Sequence, residues 1–312
     1  MPIVSPVNMD FSQKNIIEII SGLPGTGKTT LALSAPDVLL IDADEGMARV
    51  NPAHRKDASI CKTYEEVLAD IKAAEGKYKT IVIDTCGALI EMMKDWAMRT
   101  DPKASKKDGG FSLQGYGIIK SEFIRLSAEL KKKFNVIYIF HEQATRGGDD
   151  GTFYDLVADG SCKVICWQPA DLGAHLFIQN GKRYLGFTPT ESYSAKSAYG
   201  IKGIIEVPDL KDGDPNDFMT KLFDKVRANL AAESEALAPQ KEAYGKAMIL
   251  ASDIVNAVKG PEDVQEASAK IKALDHALTS KAEALDMLNK KCKELGITFD
   301  KATRKYVYKA AT

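Results

Sequence analysis

The stretch SGLPGTGKTTLALSAPDVLLIDADEG, residues 21–46, decides the fold. Its first half contains GLPGTGKT, residues 22–29, which satisfies the spacing G-x-x-x-x-G-K-[ST]. The β-rich run NIIEII (15–20) leads into it, and residues 28–35 read as the start of a helix. A strand, a glycine-rich turn and a helix form the context in which this spacing cradles phosphate. Glycines let successive backbone N–H groups curl around phosphate oxygens, and the helix N-terminus adds a favourable dipole. Gly22, Pro24, Gly25, Thr26, Gly27, Lys28, Thr29 and Thr30 are thereby assigned to a nucleotide-binding loop. Lys28 is suited to the β- and γ-phosphates of ATP, and the Thr29 hydroxyl to Mg²⁺.

The second half ends in the apolar run DVLLID (37–42); KTIVID (79–84) and NVIYIFH (135–141) are similar runs. Short segments that are apolar throughout suit parallel strands covered on both faces. The helical stretches YEEVLADIKAAEG (64–76) and YGIIKSEFIRLSAELKKKF (116–134) lie between them. Alternation of strand and helix predicts a doubly wound α/β fold. Asp84, at the end of TIVID, is then the Walker B carboxylate, holding Mg²⁺ through water from a neighbouring strand tip.

Beyond residue 141 the texture changes. RGGDDGTFYDLVADGS (146–161) reads as a loop or hairpin. AHLFIQNGKRYLGFTP (174–189) reads as a hairpin turning at Asn180-Gly181. IKGIIEVPD (201–209) adds a strand, so antiparallel members should extend the sheet. The helix within 216–240 is expected to run into an Ala/Glu linker that stops near Pro239. Amphipathic helices near 240–258, 262–277 and 279–295 follow, punctuated by Gly260-Pro261 and Gly296. The expected organisation is a catalytic domain over 1–230, a linker over 231–239 and a helical C-terminal domain over 240–312.

Hydrolysis also needs a group that orients or deprotonates water near the γ-phosphate. Many motor ATPases place a Glu directly after the Walker B Asp. Thr85 stands there instead, which also counts against an AAA+ remodeller. The alternative source is the end of the second strand, where Asp42, Asp44 and Glu45 crowd together. This resembles the RecA-like recombinases, whose catalytic Glu ends the strand after the P-loop helix. The resemblance lies at 22–29, 41–46 and 80–85. Ungapped alignment from Ile41-Asp42 puts that Glu on Asp44. Alignment on a Glu-Gly pair puts it on Glu45, which is favoured because Gly46 follows.

More narrowly, the chain resembles phage-encoded single-domain RecA-type ATPases over roughly 14–210. The likeness rests on the P-loop, LLIDADEG, TIVIDT, the strand ending FHEQ, and ADLGAHLFIQNGKRYLGFTP. It implies an ATPase of single-strand annealing and recombination, using ATP and Mg²⁺ and assembling as a ring or filament. Single-stranded DNA and a phage single-strand-binding or recombination protein are the implied partners. It also implies that His141 senses the γ-phosphate, with Glu142 and Gln143 beside it. A cation from the neighbouring subunit would complete the site. Lys196, in SAKSAYGIKG (194–203), is the first candidate, followed by Arg183 and Lys202. Ser197 or Ala198 stands where relatives carry an arginine.

Three segments have a composition suited to single strands, which bind by phosphate neutralisation and base stacking. Residues 101–117 carry three lysines with Phe111 and Tyr116. Residues 144–156 are less suited, because of Asp149, Asp150 and Asp155. Residues 301–309, KATRKYVYK, form the third segment, with an ordinary solvated helix end as the alternative.

A net charge of −1 over 312 residues argues against a globally basic nucleic-acid binder, while leaving room for local patches. The start, MPIVSPVNMD, has no basic segment and no apolar signal core, and no apolar run is long enough to span a bilayer. The expectation is a soluble, cytoplasmic protein, in the host cell if the chain is phage-encoded as the resemblance implies. Five scattered cysteines read as reduced thiols. A small-molecule P-loop kinase remains an alternative, although no arginine-rich lid is visible, as does a scaffold that binds ATP without turnover. A GTPase is disfavoured because NKKC (289–292) lacks the Asp of a base-reading motif.

Overall fold

The computed structural model describes residues 13–146, 151–159, 162–211, 213–301 and 303–309. The chain divides into two compact units between Asn229 and Leu230.

The first unit is a mostly parallel α/β sheet. Its early elements are β1 (Ile17–Gly22), α1 (Lys28–Ala32), β2 (Val38–Asp42), β3 (Asp57–Ile60), α2 (Tyr64–Ala74), β4 (Thr80–Asp84) and α3 (Cys86–Thr100). Then come α4 (Leu113–Lys133), β5 (Asn135–Arg146), β6 (Thr152–Leu156), α5 (Cys162–Ile165), β7 (Leu172–Gln179), β8 (Lys182–Gly186) and β9 (Ile204–Val207). The strand order is β3-β2-β4-β5-β1-β7-β8-β9, with β6 paired to β5. From β3 to β7 each neighbouring pair is parallel; β8 and β9 continue antiparallel. Every residue of β1, β2 and β4 is buried, as strands with both faces covered require.

Local chemistry sets the helix starts. Thr63 and Glu66 form a capping box at α2. Thr85 caps α3 through Ala88 N–H, and Ser112 caps α4 through Gly115 N–H. One core cluster joins the sheet to α2, α3 and α4 through Tyr64, Leu89, Met93, Phe123 and Tyr138. The β7–β8 hairpin turns at Asn180 and Gly181, with φ of 52° and 76°, the two positive φ values a type I′ turn needs. The β5–β6 pairing gives the expected hairpin; Asp149 and Asp150 lie outside the described residues.

The second unit contains most of α6 (Phe218–Ala257), then α7 (Pro261–Ala273), α8 (Ser280–Glu294), β10 (Ile297–Asp300) and β11 (Lys305–Tyr308). Residues 231–239, read from sequence as a linker, are helical within α6, with Pro239 inside the helix. Strong helix formers flank that proline, and their summed propensity competes with a penalty of about 3 kcal/mol. The C-terminal stretch forms no helix end: Gly296 (φ 68°) closes α8 and β10 pairs antiparallel with β11. Among the described residues no helix is long and apolar enough to cross a membrane.

Candidate active site

Parallel strands carry their C-terminal ends to one edge of the sheet, where ligands of such folds bind. Register makes that edge specific here. Asp42 at the end of β2 stands opposite Asp84 at the end of β4. Gly22 at the end of β1 stands opposite His141 in β5.

The loop after β1 is shaped by glycines: Gly25 and Gly27 have φ of 81° and 96°, a region in which a Cβ is strained. Pro24 and Gly25 are exposed at its apex; the Thr26 hydroxyl donates to Leu23 O at 2.9 Å. Lys28 is buried and folds back into the loop, donating to Gly22 O at 2.8 Å and Leu23 O at 2.9 Å. Burial pushes its ammonium down to about 8, against the opposing pull of Asp84, Glu142 and Asp44. Thr30 follows half-buried and borders a cavity of about 220 Å³ with Gly27, Leu31, Arg183 and Asp209.

Thr29 Oγ1 donates to Asp84 Oδ2 at 2.6 Å. Burial is the main cause of the rise of the Asp84 carboxyl to about 6; the Thr29 hydrogen bond opposes it, and the charges of Asp44 and Asp42 add to it. A buried carboxylate with acidic neighbours and a hydroxyl ligand suits a divalent cation. Among the described residues no group of three or more His, Cys, Asp or Glu is placed to hold a metal. Mg²⁺ fits such a place, because it keeps several waters and takes substrate phosphates alongside one or two protein ligands.

The three acids after β2 have separate places. Asp42 turns back: its carboxylate accepts from Gly46 N–H at 2.7 Å and Met47 N–H at 2.9 Å, fixing the 3₁₀ turn Gly46–Arg49. Asp44 faces the loop, with Oδ2 3.6 Å from His141 Nε2. Glu45 is exposed, in the left-handed region at φ 58°. The site thus gathers Lys28, Thr29, Asp84, Asp44 and His141, while Glu45 stands outside that group. Burial, with the Lys28 charge, holds the His141 imidazole below its ordinary range, against the pull of Asp44.

Beside His141, the carboxylate of Glu142 is buried against His175 Nδ1, at 2.8–3.0 Å from its two oxygens. The His175 ring stacks on Tyr193 at 4.3 Å. Sequence reasoning gave His175 no role; its partner is set by β5 and β7 flanking β1, which no local pattern reveals.

Lys196 does not project freely: it is half-buried and donates to Trp167 O at 3.1 Å. Lys202 is exposed. Arg183 reaches the P-loop of its own chain, donating from Nε to Thr26 O at 3.1 Å and pairing with Asp209 at 2.8 Å. Arg49, which the sequence reading did not single out, pairs with Asp44 at 3.3 Å. Arg49 and Arg183 thus join Lys28 as cations at this edge.

In the 101–117 segment, Phe111 and Tyr116 pack edge to face at 5.0 Å and lie against the main core, while Lys103, Lys106 and Lys107 are exposed. In 144–156, Asp155 pairs with Lys163 at 2.5 Å. In the C-terminal hairpin Lys305 and Tyr308 are exposed.

No curated protein matches the chain. Among solved structures, the flagellar accessory protein FlaH from Methanocaldococcus jannaschii is similar. It is 14% identical, with 63% of this chain and 91% of that chain covered and a TM-score of 0.30. The family model AAA_24, described as an AAA domain, matches residues 14–199, more than half of the chain. That span holds the P-loop, both strand-end acids, Thr85 and His141. The chain belongs to the AAA domain family AAA_24, a family of P-loop NTPases.

Proposed function

We propose that this protein is a Mg²⁺-dependent ATPase of the RecA-like class that acts on single-stranded DNA in phage recombination or annealing. The observation that carries the hydrolytic reading is the meeting of Lys28, Thr29, Asp84, Asp44 and His141 at one sheet edge. Lys28 exchanges its two carbonyl acceptors for β- and γ-phosphate oxygens. Mg²⁺, held by Thr29 and Asp84, would neutralise charge on the same phosphates. Asp44 orients the attacking water, with His141 beside it reporting the γ-phosphate. The cavity beside Gly27, Thr30 and Arg183 supports a seat for the nucleoside.

The DNA part of the reading rests on the family resemblance and on the exposed lysines of 101–117 and of the C-terminal hairpin. Assembly into a ring or filament, contact with a phage single-strand-binding or recombination protein, and a place in the host cytoplasm belong to the same proposal. The test is ATP hydrolysis with and without single-stranded DNA, with electron microscopy for assemblies. Stimulation by DNA supports the reading; turnover indifferent to DNA, with no assemblies, removes its recombination part.

One observation favours a second reading, a small-molecule kinase. His141 also borders an open recess of about 470 Å³ with Thr85, Glu91, Gln143 and Asp159. A phosphorylated acceptor in place of inorganic phosphate would decide for it.

A further inference from the structure

We propose that Arg49 is a catalytic residue supplied by the same chain, placed to stabilise charge on the γ-phosphoryl group during transfer to water. This rests on the ATPase reading and names the cation that completes it. In the reaction, the water oxygen bonds to the γ-phosphorus and the bond from that phosphorus to the β–γ bridging oxygen breaks. The products are ADP and inorganic phosphate, and the water proton is released through the Asp44 side. Negative charge accumulates on the bridging and γ-oxygens, and a guanidinium in reach offsets it.

Three observations place Arg49 there. First, its backbone is fixed. Asp42 accepts from Gly46 and Met47 N–H groups, Val50 N–H returns to Met47 O at 3.1 Å, and Arg55 donates to Val50 O and Ala48 O at 3.0 and 3.1 Å. The turn that carries Arg49 is tied to the end of β2, one strand from Asp84. Second, the groups converge on one point. A Cβ built on Gly46 would lie 3.0 Å from Asp44 Oδ1, 3.1 Å from Asp84 Oδ2 and 3.3 Å from Arg49 Nη2. The guanidinium therefore brackets the same small volume as the water-orienting acid and the Walker B carboxylate. Third, the side chain is available. Its contact with Asp44 is long for a charge-assisted bond, and 67% of the side chain is exposed. An incoming phosphate can take its remaining donors without breaking a buried pair. Lys196 offers no such freedom, since its amine is engaged by Trp167 O.

The test uses the full chain. Phosphate release at saturating ATP is measured for wild type, Arg49→Ala and Arg49→Lys, with ATP KM and retention of ADP with aluminium fluoride, a mimic of the transferring phosphoryl group. Arg49→Ala should lower kcat about 10²–10³-fold, as loss of a donor to developing charge does. KM should stay within about threefold and fluoride-dependent ADP retention should be lost. Arg49→Lys should recover part of the rate and of the ADP retention. Mixing Arg49→Ala with Lys28→Ala protein should restore nothing, because both groups serve the same loop. An Arg49→Ala kcat within twofold of wild type would overturn the proposal. So would activity restored on mixing, which would make the cation a neighbour's. If Arg49→Ala fails to fold, the neutral Arg49→Gln carries the same comparison, and a wild-type rate with wild-type ADP retention in that variant overturns it. Wild-type protein that releases no phosphate removes the ATPase reading itself, and the proposal with it.

Discussion

The Thr29 hydroxyl donates to Asp84 Oδ2 at 2.6 Å, joining the first turn of α1 to the end of β4 across 55 residues of sequence. The Asp84 carboxyl is held up near 6, chiefly by burial, and on the proposed function this pair would hold Mg²⁺. Asp84→Asn keeps the hydrogen bond's geometry and removes the charge. Its kcat should fall at least about a hundredfold, because neutralising the transferring phosphoryl group is worth several kcal/mol. A Mg²⁺ titration of turnover checks this; a curve that overlays wild type would remove Asp84 as a ligand.

Asp44 and Glu45 are neighbours with opposite placements. Asp44 meets His141 and the P-loop side; Glu45 is exposed. Asp44→Asn should retain nucleotide and lose about 10²–10⁴-fold in kcat, the range of a positioned acid–base group. Glu45→Gln should stay within about twofold of wild type. Phosphate-release assays on the two variants decide, and the reverse pattern would return the role to Glu45.

Much of this edge was legible because its signals are local. The glycine spacing at 22–29, the Asp ending TIVID, and Asn180-Gly181 each specify backbone shape within a few residues. The separate placements of Asp44 and Glu45 were not legible, because a left-handed backbone at Glu45 sends adjacent side chains to different places. Arg49 was invisible as a lone arginine in a loop; only the clamp from Asp42 brings it back to the strand ends. Strand β3 was missed because DASI is short, largely exposed and has no apolar run. Phe111 and Tyr116 looked available for base stacking, yet their rings pack against the core and each other. Composition reports what a segment contains, not which way its side chains face.

Lys196 is expected to be structural. Its amine holds Trp167 O, and the Trp167 ring packs so closely on Gly173 that a Cβ there would lie 2.2 Å from it. Lys196→Ala should cost about 1 kcal/mol of stability, the net worth of one such hydrogen bond, and leave kcat unchanged. Urea unfolding and steady-state turnover measured on the same preparation check it. A large fall in kcat with unchanged stability would reinstate this lysine as a finger.

Glu18 gives the chain a pH dependence separate from the active site. It lies within β1, fully buried between β5 and β7, and neither carboxylate oxygen has a hydrogen-bond partner. Burial raises its carboxyl from 4.5 to about 8. The folded form therefore binds more protons than the unfolded form between those two values. Stability falls with rising pH wherever the native state holds the extra proton. The contribution of Glu18 is thus most favourable below about pH 4.5, declines through neutrality, and levels off above about pH 8. Glu18→Gln copies the protonated acid and cannot ionise. Variant and wild type should be nearly equal in stability at pH 5, with the variant ahead by an amount on the order of a few kcal/mol at pH 8.5. The difference between the two chains isolates this residue, since every other titrating group is common to both. Urea unfolding of each from pH 5 to 8.5 supplies the measurement. Curves that run parallel across the range would mean that the Glu18 carboxylate finds a partner or water when it ionises.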